Sequence, residues 1–269
     1  MKYAFSTLGM PGTPLAEAAA LAAAHGYDGV ELRAHPEESL HSGSPATDRT
    51  AAVRAFAAAG VGILTVAGYA RVAAEGPDEP VLDELRGLTA LAVDLGAPYV
   101  RVFPGGGDRE PSAADATAVR RLAAVAPFAE REGVRILLET HDSHRTGADA
   151  ARVLGRVGHP GAGVLWDVLH TWLGGESPAR SARELTGHLG YIQVKDVASA
   201  ADLTPLSLGC GTLPLAEAVA AAPPGGWLCW EYERRWYPGA QELPGLLTSG
   251  REHLAGLVRA ARKEAAHAE

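Results

Sequence analysis

Cysteine is scarce in this sequence, and its two cysteines belong to no recognisable disulfide or metal motif. Cys210 and Cys229 lack the spacing of metal-binding cysteines, and one pair is too few for a disulfide framework. Reduced thiols of this kind are typical of cytoplasmic proteins, so we expect a cytoplasmic location. The first residues, MKYAFSTLG, lack the apolar core and cleavage site of a signal peptide. No apolar run approaches the roughly 20 residues of a membrane span, and we expect no membrane association.

Positive charge is also in short supply. The 24 lysine and arginine residues are outnumbered by 32 aspartate and glutamate residues, which gives a formal net charge of -8. Proteins that bind nucleic acid without sequence preference need a basic surface. The only basic cluster of note, Arg234 with Arg235, is too short to provide one. We therefore expect no nucleic-acid partner.

Short apolar runs alternate with longer Ala- and Leu-rich segments along the whole chain. Eight strands are predicted, at residues 2–7, 28–33, 61–67, 98–103, 134–139, 162–167, 190–195 and 227–232. Ser, Thr or Pro opens several of the segments between them and Gly closes others, as at the ends of helices. The pattern predicts an α/β protein with one domain, a (β/α)₈ TIM barrel over residues 1–269. The alternative, a doubly wound sheet, requires a GxGxxG loop that residues 7–14 lack.

Polar side chains end the last four predicted strands, where a barrel of this type carries its chemistry. The fifth strand ends in Glu139 and the sixth in Asp167, while the seventh carries Gln193 and the eighth Glu231. Three carboxylates and an amide oxygen at one mouth repel each other, and a divalent cation between them removes this penalty. Oxygen ligands favour Mn²⁺ or Mg²⁺, with Co²⁺ or Zn²⁺ as alternatives. The pattern predicts one divalent metal ion held by these four residues.

A second polar group accompanies three of these positions. Because side chains two positions apart share a face of a strand, the expected pairs are Glu139 with His141, Gln193 with Lys195, and Glu231 with Glu233. Lys195 is predicted either to line the site or to pair with Asp196. Glu233 is expected to pair with Arg234 or Arg235.

Two glycine-rich loops follow strands of the predicted barrel, at residues 103–108 and 208–214. Loops after the seventh and eighth strands of such barrels often bind phosphate. A single GxG is weak support for a phosphate site, so we interpret both loops as turns.

The motifs resemble those of a known family in their order along the chain. YDGVELR, LLETHD, LWDVLHTW, QVKD, LGCGTLP and WEYE together resemble the xylose-isomerase-like TIM-barrel superfamily of sugar phosphate isomerases and epimerases. The resemblance spans nearly the whole chain. It implies a divalent metal on Glu139, Asp167, Gln193 and Glu231, although the third of these is most often His in the epimerases. It also implies that two histidines, His141 and His170, contact the substrate.

The resemblance implies a metal-dependent isomerase or epimerase of carbohydrate metabolism, acting on a sugar or polyol-like keto substrate. Glu139 and Glu231 would move a proton between the two faces of an enediolate, and His141, His170 and Lys195 would bind substrate oxygens. A dehydratase that shares the first step is one alternative, since the arginine that follows the KD motif of ketose epimerases is absent here. A catalytically degenerate sugar-binding barrel or subunit is another, motivated by Gln193.

The partners implied by the resemblance are small molecules. The DNA-repair branch of the superfamily uses several zinc ions and histidines on early strands, and residues 61–67 and 98–103 contain no histidine. We therefore expect a sugar or polyol substrate and no DNA. Analogy with other barrels of this sort adds a homodimer as an expectation.

Overall fold

The predicted apolar runs form the inner layer of the computed structural model, which describes residues 1–268. Its strands are β1 (Lys2–Ser6), β2 (Gly29–Arg33), β3 (Gly62–Arg71), β4 (Tyr99–Phe103), β5 (Arg135–Glu139), β6 (Ala162–Asp167), β7 (Leu189–Val194), β8 (Val197–Ser199), β9 (Asp202–Pro205) and β10 (Trp227–Trp230). Eight of them pair in parallel, in the order β1–β2–β3–β4–β5–β6–β7–β10, and β10 closes the barrel against β1. The predicted (β/α)₈ barrel is therefore confirmed. Strands β8 and β9 form a separate antiparallel hairpin.

Helices connect the consecutive strands of the barrel and lie outside it. The helices are α1 (Leu15–Ala24), α2 (Ala46–Ala59), α3 (Asp78–Leu95), α4 (Pro111–Arg131), α5 (Gly147–Val157), α6 (Val168–Leu173), α7 (Pro178–Glu184), α8 (Leu215–Ala220) and α9 (Leu247–Ala268). Short 3₁₀ helices occupy Thr7–Gly9 and Leu243–Leu246. Gly96 ends α3 in the left-handed conformation that an L-residue adopts only at a cost. Among these helices none is both long and apolar enough to cross a membrane.

The inside of the barrel has an apolar layer directly below a polar one. Ala4, Leu64, Leu137, Leu165, Tyr191 and Cys229 pack together there and are at most 1% exposed. Side chains two positions further along a strand point to the same side. After Leu137, Leu165, Tyr191 and Cys229 these positions hold Glu139, Asp167, Gln193 and Glu231. The barrel therefore places all four predicted ligands in one layer, at the C-terminal ends of their strands.

Candidate active site

A cavity of about 630 Å³ lies at the C-terminal ends of the barrel strands. Four of the seven predicted site residues line it, namely Glu139, His141, His170 and Glu231. The other three, Asp167, Gln193 and Lys195, are almost completely buried. Gln193 and Lys195 contact Glu231 of the lining, and Asp167 contacts Lys195. The structure therefore brings all seven predicted site residues into one contiguous cluster.

Glu139 is buried at the end of β5 and is paired with an arginine from the neighbouring strand. The Nε atom of Arg101 lies 3.1 Å from Oε2 of Glu139, and its guanidinium also lies 4.0 Å from the ring centroid of Phe103. Burial raises the pKa of Glu139 to about 8, against the opposing effects of Arg101 and His141. A carboxyl group with such a pKa exists in both protonation states near neutral pH. It is therefore suited to both accept and return a proton.

Lys195 is buried among three carboxylates. Its Nζ atom lies 2.8 Å from Oδ2 of Asp167 and 2.7 Å from Oε1 of Glu233, and it also contacts Glu231. Burial lowers the pKa of Lys195, but Asp167, Glu231 and Glu233 outweigh burial and hold this pKa well above its ordinary value. The ammonium group therefore stays charged and neutralises part of the acidic cluster.

The predicted ion pair of Glu233 is wrong. Glu233 does not pair with its sequence neighbours, since Arg234 contacts Glu242 and Arg235 contacts Glu37. The register of β7 and β10 brings Glu233 to Lys195 instead.

The Lys195–Asp196 pair, one of the two alternatives for Lys195, does not form, because Lys195 contacts Asp167, Glu231 and Glu233. The Asp196 carboxylate accepts backbone N–H groups of Gly209 and Gly211, each at 2.9 Å. This contact supports the interpretation of residues 208–214 as a turn, because two of its N–H groups already have an acceptor.

Gln193 is oriented by Glu31, a buried residue of β2. Its Nε2 atom donates to Oε1 and Oε2 of Glu31, at 2.9 and 3.0 Å, and to Oε1 of Glu231 at 3.2 Å. The hydroxyl of Tyr191 also donates to Glu31. Burial and the nearby Glu231 raise the pKa of Glu31. The Oε1 atom of Gln193 is left buried with no hydrogen-bond partner within residues 1–268. A buried oxygen without a hydrogen-bond partner lowers the free energy of unfolding by about 1–3 kcal/mol. A bound cation would offset this loss.

Two histidines and Glu139 form a second possible donor set. Within residues 1–268, Glu139, His141 and His170 are the one group of three His, Cys, Asp or Glu side chains whose ligand atoms lie within 4.8 Å of each other. The two imidazole rings are 4.0 Å apart between centroids. Burial, and then the nearby His141, lower the pKa of His170 well below its ordinary value. A neutral imidazole is the form that binds a metal.

The structure adds residues that the sequence analysis did not single out. Arg101, Tyr69, Phe103 and Arg71 all line the cavity from β3 and β4. The signal for Arg101 is its place in YVRVF, where a charged side chain interrupts a strand buried on both faces.

A buried ionic network supports the loop that carries His141. The Nε2 atom of His144 lies 3.0 Å from Oδ1 of Asp115, and Nε of Arg152 lies 2.6 Å from its Oδ2. On its other side His144 contacts the hydroxyl of Ser143 at 3.0 Å, and this hydroxyl accepts the N–H of Gly106 at 2.9 Å. The network therefore connects α4 and α5 to the loops after β4 and β5.

Replacement of Asp115 by Asn is expected to lower the free energy of unfolding at pH 7 by about 1–3 kcal/mol. Burial raises the pKa of Asp115, but hydrogen bonds from Arg152 and His144 outweigh it and leave the pKa lowered. This stabilisation is present above the unfolded pKa of about 3.9 and is lost as the pH falls below it. Urea unfolding at pH 7 and at pH 3 measures both effects. The exposed Asp48→Asn variant is the control, and an equal loss at both pH values would contradict the prediction.

A protein family matches most of this sequence. The family described as "Xylose isomerase-like TIM barrel" matches residues 19–256. No curated protein sequence matches the chain.

Solved structures share the fold over nearly their full lengths. L-ribulose 3-epimerase has a TM-score of 0.82 and 16% identity, with 100% of this chain and 98% of that chain covered. A structure of IOLI protein with a binding zinc atom has a TM-score of 0.82 and 18% identity, covering 97% of this chain and 99% of that one. The probable 3-DHS dehydratase AsbF from Bacillus anthracis has a TM-score of 0.80 and 18% identity, covering 95% and 99%. Identities this low establish the shared fold alone.

Proposed function

The chain belongs to the xylose isomerase-like TIM barrel family, and from this membership we propose that it is a divalent-metal-dependent isomerase or epimerase of a sugar or polyol-like keto substrate. One observation carries the proposal: the carboxylates of Glu139 and Glu231 line the same cavity as the imidazoles of His141 and His170. The likeness to L-ribulose 3-epimerase supports it as a fold precedent.

The residues present fit a divalent cation. The buried carboxylates of Glu31, Glu139, Asp167 and Glu231 outnumber the buried cations Arg101 and Lys195, and the Oε1 atom of Gln193 is unsatisfied. Glu139, Asp167, Gln193 and Glu231 would hold the ion, with Mn²⁺ or Mg²⁺ preferred by such oxygen donors. When bound, the ion supplies Lewis acidity, which acidifies a C–H bond next to a substrate carbonyl.

Glu139 and Glu231 approach the cavity from different sides. Their strands β5 and β10 are separated in the barrel by β6 and β7. One carboxylate therefore removes a proton from one face of the substrate while the other returns a proton on the opposite face. His141 and His170 hydrogen-bond substrate oxygens within the same cavity. The charged Lys195 holds Glu231 in place through their ion pair.

A dehydratase is the second candidate, and the contacts of His141 favour it. Burial lowers the pKa of His141, but the hydrogen bond to Asp142 and the charge of Glu139 outweigh burial and raise it. The two atoms that form this hydrogen bond, Nδ1 of His141 and Oδ2 of Asp142, are 3.3 Å apart. A protonated imidazole in the cavity would protonate a departing β-hydroxyl group after the shared first step.

Proton exchange with solvent tests the proposal. The protein is incubated in D₂O with Mn²⁺ and a panel of keto sugars and keto polyols, and the C–H signals are followed by ¹H NMR. Exchange with rearrangement and no loss of water supports an isomerase or epimerase, whereas exchange with loss of water and a new chromophore indicates the dehydratase. The absence of exchange with every compound would overturn both and leave the degenerate sugar-binding barrel.

Calorimetric titration of metal-stripped protein with Mn²⁺ is expected to show one site per chain. The Glu139→Ala/Glu231→Ala double variant is expected to lose it. Replacement of partners outside the ligand shell already costs about 10–100-fold in metal affinity, so Asp167→Asn is expected to cost at least as much. Thermal unfolding of each variant serves as the folding control, because Asp167 also accepts the N–H of Leu169 at the start of α6.

His170→Gln distinguishes the two donor sets. It is expected to leave Mn²⁺ affinity nearly unchanged. Weaker binding by His170→Gln together with normal binding by Asp167→Asn would move the ion to Glu139, His141 and His170. The cytoplasmic location and the homodimer stay predictions, which cell fractionation and light scattering would examine.

A further inference from the structure

Arg71 is a cation in the cavity that has no acidic partner among residues 1–268. It is the last residue of β3, it lines the cavity, and its side chain is exposed. Within residues 1–268 its guanidinium forms no ion pair and donates no hydrogen bond, and its polar contacts are made by its backbone. The other arginine that lines the cavity, Arg101, is paired with Glu139. Arg71 therefore differs from Arg101 in having its charge available to a ligand.

The loop after β4 is built around the Arg71 side chain. Gly105 faces it, and a Cβ atom at Gly105 would lie 2.6, 2.7 and 2.8 Å from Cβ, Cγ and Cδ of Arg71. Any residue other than glycine would therefore displace the stem of the arginine. Gly105 also has a φ of 67°, and its N–H donates to the carboxylate of Asp142 at 3.0 Å. The stem of Arg71 is thus held against a loop whose own geometry is fixed.

Arg71 also lies near the residues that are proposed to act in catalysis. In the register of β3 and β4 it is the partner of Phe103. The Phe103 ring lies 4.7 Å from the His141 ring, and His141 lies beside Glu139. Arg71 on β3 and Glu139 on β5 are separated by one strand, β4, and both line the cavity. An anion bound by Arg71 would therefore share the cavity with Glu139.

From this geometry we infer that the substrate carries an anionic group, a carboxylate or a phosphate, which binds Arg71. The inference deepens the proposed function, on which it rests, by naming the substrate as an acidic polyhydroxy compound instead of a neutral sugar. A guanidinium group is suited to both anions because its N–H groups form paired, charge-assisted hydrogen bonds with their oxygens. The chain has a net charge of -8 and abundant carboxylates, yet within residues 1–268 none of them pairs with this arginine of the cavity.

Three probes with the same carbon chain test the inference in the metal-loaded protein. D-sorbitol is neutral, D-gluconate carries a carboxylate, and D-sorbitol 6-phosphate carries a phosphate. Calorimetry is expected to show that at least one anionic probe binds about tenfold more tightly than sorbitol. The anion that is preferred identifies the group that the substrate carries.

Substitutions of arginine assign the preference to Arg71. Arg71→Gln is expected to bring the three affinities within about twofold of each other. Arg71→Lys is expected to keep part of the preference, because it retains the charge. Arg54→Gln, which removes the same charge from the exposed face of α2, is expected to change nothing. A preference that survives in Arg71→Gln would overturn the inference, as would equal binding of all probes or binding of none.

These measurements are independent of turnover. An anion preference without proton exchange in D₂O would retain the inference and reject the proposed reaction. Proton exchange on neutral keto sugars, with no preference for anionic probes, would retain the proposed reaction and reject the inference.

Discussion

Glu139→Gln is expected to slow solvent proton exchange by about two to four orders of magnitude, the usual contribution of a general acid or base. Glutamine keeps the shape of the side chain and removes its ability to take up a proton. Without a metal ion, burial raises the pKa of Glu139 to about 8, so this carboxyl group can take up a proton near neutral pH. Exchange is measured in D₂O on the substrate that the wild-type protein accepts, at saturating Mn²⁺.

The matched control is Glu233→Gln, because Glu233 lines the same cavity as Glu139 but contacts Lys195. Its carboxylate is expected to pair with Lys195 and not to exchange protons with the substrate. Proton exchange should therefore fall by less than about tenfold. Glu139→Gln also deprives the buried Arg101 of its acidic partner. Both variants are therefore compared at a temperature at which unfolding curves show them to be fully folded. Full exchange by Glu139→Gln would remove Glu139 from the acid–base pair.

Lys195→Met is expected to destabilise the metal-free protein by about 3–5 kcal/mol, as the loss of one partner from a buried ion pair does. Methionine replaces most of the volume but leaves Asp167, Glu231 and Glu233 without their shared cation. Urea unfolding of metal-stripped protein measures the loss. Mn²⁺ is expected to restore more stability to Lys195→Met than to the wild type, because a divalent ion compensates the same carboxylates.

Lys263→Met is the control, since Lys263 is an exposed residue of α9. It is expected to change stability by less than about 0.5 kcal/mol, as surface substitutions usually do. A loss for Lys195→Met no larger than that of the control would show that the lysine contributes little to the balance of charge in the cluster. Equal rescue of the wild type and Lys195→Met by Mn²⁺ would show that the ion binds elsewhere.

The barrel was predictable because its strands are marked by composition alone. Strands buried on both faces are short and almost wholly apolar, and all eight predicted runs are strands of the barrel. The extension of β3 to Arg71 was not anticipated, since the residues GYAR have no continuous apolar run. This extension is also what places Arg71 in the cavity.

The layer of site residues was predictable, but their contacts were not. Strand direction alone puts Glu139 and Glu231 at the same end of a parallel barrel. Ion pairs depend on register, and the sequence does not contain the register. Cys229 lies opposite Gln193, so the positions that follow bring Glu231 beside Lys195. For the same reason Glu233 pairs with Lys195, at the end of the neighbouring strand β7, and not with the adjacent Arg234.

The apolar layer of Leu137, Leu165, Tyr191 and Cys229 closes the barrel below the site. Molecules therefore enter and leave the cavity by the same opening, at the C-terminal ends of the strands. A product that has not departed occupies the position that the next substrate needs. We expect each product to inhibit competitively against its own substrate. We also expect the substrates and products of a reversible reaction to use the same opening of the cavity in both directions.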